Sequence, residues 1–174
     1  MILRSGIYPS LWRENFIKPL FKGGCVSDPS CYRGIAISSC LSKFFTKILH
    51  NRLENYLEQN DIICPEQIGF RKGARTSNHI FSLKTLIDKY FHKNKYVFVC
   101  FVDLKKAFDT VNRHALLYKL FRYNIRGNFF NILENMYKNV SFSVKLQDGL
   151  TDTFQTSIGV KQGCICIPLC FLYI

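Results

Sequence analysis

Three kinds of segment are missing from this sequence, and each absence narrows the reading. No apolar run approaches the roughly 20 residues that a membrane-spanning helix needs. Met1 is not followed by a charged stretch that leads into an apolar one, so neither membrane anchor nor secretory leader is expected and the chain reads as intracellular. No internal repeat, linker or low-complexity stretch divides it, so its 174 residues, 48% hydrophobic, are expected to build a single core. Paired C-x-x-C spacing is absent as well. The eight cysteines therefore read as reduced thiols, and a zinc site is not expected from Cys164, Cys166 and Cys170 or from the scattered His50, His79, His92 and His114.

Acidic residues are in short supply: 12 Asp and Glu stand against 24 Lys and Arg. A polyanion such as nucleic acid is one partner that such a surface fits, and an unspecialised basic surface is the other reading of the charge.

What is present is strongly patterned. From Ser39 to Gln59 the apolar residues Leu41, Phe44, Phe45, Ile48, Leu49, Leu53, Tyr56 and Leu57 recur at three and four, which predicts a helix with one buried face. A second helix is predicted to start at Ser77 or Asn78 and to turn Ile80, Phe81, Leu83, Leu86, Ile87, Tyr90 and Phe91 inward. Tyr96 to Val102 is an unbroken apolar, aromatic and β-branched run, as a strand covered on both faces requires. Helices are expected again at about Arg113–Tyr123 and Asn128–Lys138. A strand then follows over Ser141–Leu146, and Asp148-Gly149 signals a hairpin. The order suggests an α+β fold.

Four stretches carry chemistry. Asp103 follows the apolar run and precedes Lys105 and Lys106; a strand-end carboxylate beside cations suits Mg²⁺ near phosphates, although the residues alone favour an ordinary acid capping a strand or turn. Asp109 is placed to cap the helix after it rather than to bind metal. Ser157 to Gly163 joins two segments through glycines that allow a close backbone approach, or simply a tight turn. Gln67 to Arg75 mixes cations, glycines and Phe70, a composition suited to phosphates and a stacked base, or to a solvated loop.

Taken in order, these stretches resemble the reverse transcriptase domain of non-LTR (LINE-like, jockey-type) retrotransposons. Tyr32-Arg33-Gly34-Ile35-Ala36-Ile37 is similar to the first fingers motif, with Gly34 where proline is usual; the resemblance implies that Lys22 and Arg33 contact the nucleotide triphosphate and that Gly34 loosens the loop aiming Arg33. Gln67, Gly69, Phe70, Arg71, Lys72 and Arg75 match a segment that lies along the template. Phe101 to Val111 resembles palm motif A, with Asp103 as catalytic metal ligand and Phe108 as the steric gate against a ribose 2′-hydroxyl. Gly159 to Cys164 resembles motif B, which places Gln162 and Gly163 beside the nucleotide. The resemblance implies a partial right-hand polymerase fold, with fingers over about 1–95 and an incomplete palm over about 96–174 around a central antiparallel sheet. It also implies two Mg²⁺ ions, an RNA template, a DNA primer, deoxynucleoside triphosphates and work on chromosomal DNA in the nucleus. The family's aromatic-Ala-Asp-Asp hairpin is not found before Ile174, and no two Asp are adjacent, so the chain is expected to be an inactive fragment. A non-catalytic nucleic-acid-binding remnant, or a product that does not fold stably, are the alternatives.

Overall fold

The computed structural model describes residues 1–161. In chain order the elements are α1 (Ile2–Ser5), β1 (Glu14–Phe21), β2 (Tyr32–Ile37), α2 (Cys40–Gln59), α3 (Thr76–Phe91), α4 (Arg113–Arg122), α5 (Gly127–Tyr137), β3 (Ser141–Val144) and β4 (Phe154–Gln155), with short 3₁₀ turns at Ser10–Arg13 and Pro29–Cys31. The mixture of helix and sheet agrees with the expected class, but the sheet is not the all-antiparallel one expected. Its order is β2-β1-β3-β4, with β1 and β3 parallel and the two outer pairings antiparallel. Parallel pairing arises because, after β2, the chain travels through the four helices α2 to α5 before β3, and such a crossover can return a strand in the same direction as β1.

Helix α2 forms where its periodicity predicts. Ser39 caps it, its hydroxyl accepting from the Ser42 amide at 3.1 Å. Phe45, Leu49, Leu53 and Leu57, each four residues after the last, make one buried stripe. Leu41, one turn before Phe45 at the start of the helix, and Phe44, beside the stripe, stay exposed. Against the stripe pack Leu116 and Leu120 of α4 and Ile132, Leu133 and Met136 of α5, together with Tyr8 and Ile63. Leu49 and Ile132 have no measurable exposure, and full burial of such a side chain stabilises by about 1.5–3 kcal/mol. Two polar contacts fix the helices against one another. The Tyr56 hydroxyl donates to the Tyr123 carbonyl at 2.9 Å, and the Asn128 amide donates to the Arg4 carbonyl at 2.6 Å.

Several expectations are corrected. Asp109 does not cap α4: Asn112 does, its Oδ1 accepting from the amides of His114 (2.9 Å) and Ala115 (3.1 Å). The Asp109 amide instead closes a turn onto the Lys106 carbonyl, which takes Asp109 away from the helix start. Helix α3 begins at Thr76, and Arg75, not Ser77 or Asn78, occupies the cap position without a side-chain bond. No residue of α3 is buried. Phe81 is 71% exposed, and Leu83 is only half-buried. Residues 96–102 form no strand, and Phe98 is 96% exposed. A strand exists only through a ladder to a neighbour, and among the described residues no segment pairs with this one. The hairpin signal at Asp148-Gly149 holds: the Leu146 amide donates to the Gly149 carbonyl at 2.9 Å, and β3 pairs with β4.

Burial therefore predicts opposite outcomes for two large apolar residues. Leu49→Ala is expected to lose about 2–5 kcal/mol of unfolding free energy. Phe81→Ala on α3 is expected to stay within about 0.5 kcal/mol of the parent. Urea titration followed by circular dichroism reads both, and equal losses would mean that α3 is buried in solution.

Candidate functional site

A cleft of about 410 Å³ opens between the β1–β2 hairpin and the segment that follows β4. Ile17, Gly34 and Ala36 form its hairpin wall, Asp109 and Arg113 its base, and residues 155–161 its far side. The hairpin wall follows from register. Ile17 pairs with Ala36 and Pro19 with Gly34, so these residues share one face, while Lys18, Leu20, Arg33 and Ile35 share the other.

The base of the cleft is built on Arg113, the first residue of α4, which is 8% exposed. Its Nε donates to the Gly159 carbonyl (2.7 Å), Nη1 to the carbonyls of Tyr137 (3.3 Å) and Thr156, and Nη2 to Thr156 Oγ1 (2.7 Å) and the Ile158 carbonyl (3.1 Å). The guanidinium carbon also lies 5.5 Å from the centre of the Tyr137 ring. Burial lowers its pKa from the ordinary arginine value, with the Tyr137 side chain opposing that shift. An arginine stays charged nonetheless, so this buried cation is held by neutral oxygens alone among its hydrogen-bond partners.

The segment thus gathered docks on the turn after Asp103. The Gly159 amide donates to the Val111 carbonyl and the Val160 amide to the Phe108 carbonyl, both at 2.8 Å. Gly159 has φ +78, and a Cβ there would sit 2.7 Å from the Asp109 carbonyl oxygen. Only glycine satisfies both conditions. At the far side Lys161, 6% exposed, donates through Nζ to Asn15 Oδ1 at 3.1 Å; the same oxygen accepts from the Ser38 hydroxyl at 2.6 Å. Lys161 thereby ties the segment to β1.

The residues singled out from the sequence are partly brought together. Phe108 packs half-buried against the core, and its carbonyl takes part in the docking just described. Asp103 is exposed on irregular chain rather than at a strand end. Arg33 lies on the hairpin face opposite the cleft lining, and exposed Lys22 extends the pairing one step, its amide donating to the Cys31 carbonyl at 2.9 Å. Gly34 does not loosen this region. It sits within the ladder opposite Pro19, and a Cβ there would come 3.0 Å from Ile17 Cγ2. In the 67–75 loop, Gln67 donates to the Gly69 carbonyl at 3.4 Å, Phe70 is exposed at φ +58, Lys72 and Arg75 are exposed, and Arg71 is bound to Glu58 at the end of α2. Gln162 and Gly163 lie outside the described residues.

Sequence reasoning missed Arg113, Asn15, Lys161 and Glu58. For Arg113 a signal existed: a cation at the first position of a helix opposes the helix dipole, so it asks for carbonyl partners from elsewhere in the chain.

Among the described residues no three His, Cys, Asp or Glu side chains converge as metal ligands. Mg²⁺ takes oxygen ligands in near-octahedral geometry, and Asp103 alone does not make such a site. No helix among these residues is long and apolar enough to cross a membrane.

Comparison with known proteins decides the family. The model of the family described as reverse transcriptase (RNA-dependent DNA polymerase) matches residues 22–174. The chain belongs to the reverse transcriptase family. Its relatives include the probable RNA-directed DNA polymerase from transposon BS of Drosophila melanogaster, 28% identical over 98% of this chain and 19% of that protein. The RNA-directed DNA polymerase from mobile element jockey of Drosophila funebris is 26% identical over 96% of this chain and 18% of its own length. The retrovirus-related Pol polyprotein from type-1 retrotransposable element R2 of Popillia japonica is 29% identical over 97% and 23%. This reverse transcriptase chain spans about a fifth of the length of these relatives.

Removing Arg113 from the reverse transcriptase domain leaves the carbonyls of Thr156, Ile158 and Gly159 without their shared donor. Arg113→Ala is expected to lose about 3 kcal/mol or more, from hydrogen bonds to a charged group worth about 1.5–3 kcal/mol each and not additive. The Gly159 and Val160 amides are expected to exchange with solvent faster by a larger factor than amides of α2. Arg113→Lys, with one ammonium in place of a fork, is expected to recover little. Parent-like exchange in Arg113→Lys would contradict the role of the fork.

Proposed function

We propose that this chain is the part of an RNA-directed DNA polymerase that seats the template and the incoming deoxynucleoside triphosphate beside Asp103. The observation that carries the reading is the docking of two family-like stretches on each other: the amides of Gly159 and Val160 bond the turn at Phe108–Val111 beneath one cleft. In this reading residues 1–95 are fingers and 96–174 palm. Lys22, Arg33, Gln162 and Gly163 meet the nucleotide, Phe108 is the steric gate, and Gln67, Gly69, Phe70, Lys72 and Arg75 run along the RNA template, with Arg71 in the same loop. A DNA primer would supply the attacking hydroxyl. Asp103 is this chain's ligand for Mg²⁺, the ion that would stabilise charge on the phosphates, and further oxygen ligands have to join it. A nuclear site of action follows from the same resemblance.

A second reading, a nucleic-acid-binding domain without catalysis, is favoured by one observation. Lys72 and Arg75 of the 67–75 loop are displayed, while among the described residues Asp103 belongs to no group of three or more potential metal ligands.

Primer extension on an RNA template with Mg²⁺ and deoxynucleotides, run beside Asp103→Ala and with filter binding of the same template, separates the two. The chain alone is expected to bind the template with strong salt dependence and to extend nothing. Extension that disappears in Asp103→Ala would establish catalysis by the chain itself. Template binding indifferent to salt would overturn both readings.

A further inference from the structure

Arg71 is one of three cations in a loop whose composition suits phosphate, yet the Nε–Nη2 edge of its guanidinium is already engaged. Its Nε donates to Glu58 Oε1 and its Nη2 to Glu58 Oε2, both at 2.8 Å, a two-point pairing of fork with carboxylate. A phosphate would use the same fork. Glu58 lies in the last turn of α2, where the helix dipole disfavours a carboxylate. Arg71 offsets that charge, so the pair is favoured from both sides. The loop's own backbone turns about Arg71: its amide donates to the Ile68 carbonyl at 3.3 Å, and its carbonyl accepts from the Ala74 amide at 3.2 Å. Lys72 and Arg75 are exposed, and neither forms an ion pair among the described residues.

We infer that Glu58 is a positioning residue that takes Arg71 out of the phosphate-contacting set and makes it the loop's footing on α2. The charge offered to nucleic acid then comes from Lys72 and Arg75. This inference rests on the reading of the loop as a nucleic-acid contact, and it changes which residues make that contact. A cation already paired with a protein carboxylate releases no counterion from the nucleic acid. It therefore adds nothing to the salt dependence of binding, whereas each phosphate-contacting cation adds roughly 0.7 to the slope for a single strand.

The test measures binding of a fluorescent single-stranded oligoadenylate RNA to this chain by anisotropy across a series of KCl concentrations. Lys72→Ala and Arg75→Ala are each expected to flatten the plot of log affinity against log salt by roughly 0.7. Arg71→Ala is expected to leave the slope unchanged, and Glu58→Gln to steepen it by roughly 0.7 as Arg71 becomes available. A slope that flattens in Arg71→Ala as much as in Lys72→Ala overturns the inference.

A second readout does not depend on RNA. Chymotryptic cleavage after Phe70 is expected to rise several-fold in Glu58→Gln and in Arg71→Ala, and no further in the double variant, with unchanged circular dichroism. Cleavage at the parent rate in both single variants also overturns the inference. A parent chain whose RNA binding ignores salt, but whose cleavage follows the expected pattern, upholds the footing and overturns the nucleic-acid reading of the loop.

Discussion

A guanidinium withdrawn from water has to find several acceptors at once, and Arg113 finds them in chain segments that are distant in sequence. It takes carbonyls from the end of α5 and from residues 156, 158 and 159. Neutral acceptors ask for more partners than a carboxylate would, and that demand organises the cleft. Because the 156–159 backbone is drawn onto α4, the amides of Gly159 and Val160 reach the carbonyls of Val111 and Phe108, and Lys161 is carried to Asn15 on β1. Gly159 is the point at which this closeness leaves no room for a side chain. The cleft is thus a consequence of satisfying one buried charge.

Elements whose stability is local could be read from the sequence. The stripe Phe45, Leu49, Leu53, Leu57 predicts α2 because its spacing matches one helix face, and Asp148-Gly149 predicts a hairpin because the turn requires such residues. The run at 96–102 has composition in its favour too, but a strand depends on a partner that composition cannot supply. The same holds for α3, which is helical by periodicity, while burial of its apolar residues depends on a surface elsewhere. The direction of β3 beside β1 follows from the path of the intervening helices, which no local pattern encodes.

The site was legible to a different degree. Resemblance marks the turn after Asp103 and the glycine segment before Gln162 as belonging together, and Gly159 lies against Asp109. The geometry between them was not legible, because it runs through Arg113, which matches no motif. Asp109 illustrates a local competition. Both Asp109 and Asn112 can cap a helix, and the turn closed by the Lys106 carbonyl leaves the position to Asn112.

Scarcity of acid gives the charge pattern its logic. With 12 carboxylates against 24 cations, a protein that faces a polyanion gains by pairing the carboxylates that lie near the contact surface. Asp28, in the loop between β1 and β2, accepts from the Ser30 hydroxyl and amide, which hold its carboxyl below the usual range and keep it ionised but engaged. Glu58 is engaged by Arg71. In both cases the carboxylate serves as an internal acceptor that shapes a loop, and at Glu58 the Arg71 cation also offsets its repulsion of phosphate. Asp103 differs, since it is exposed on irregular chain. An acid left outward on so basic a surface repels phosphate unless a cation comes between them, and that is the arrangement a divalent ion would supply.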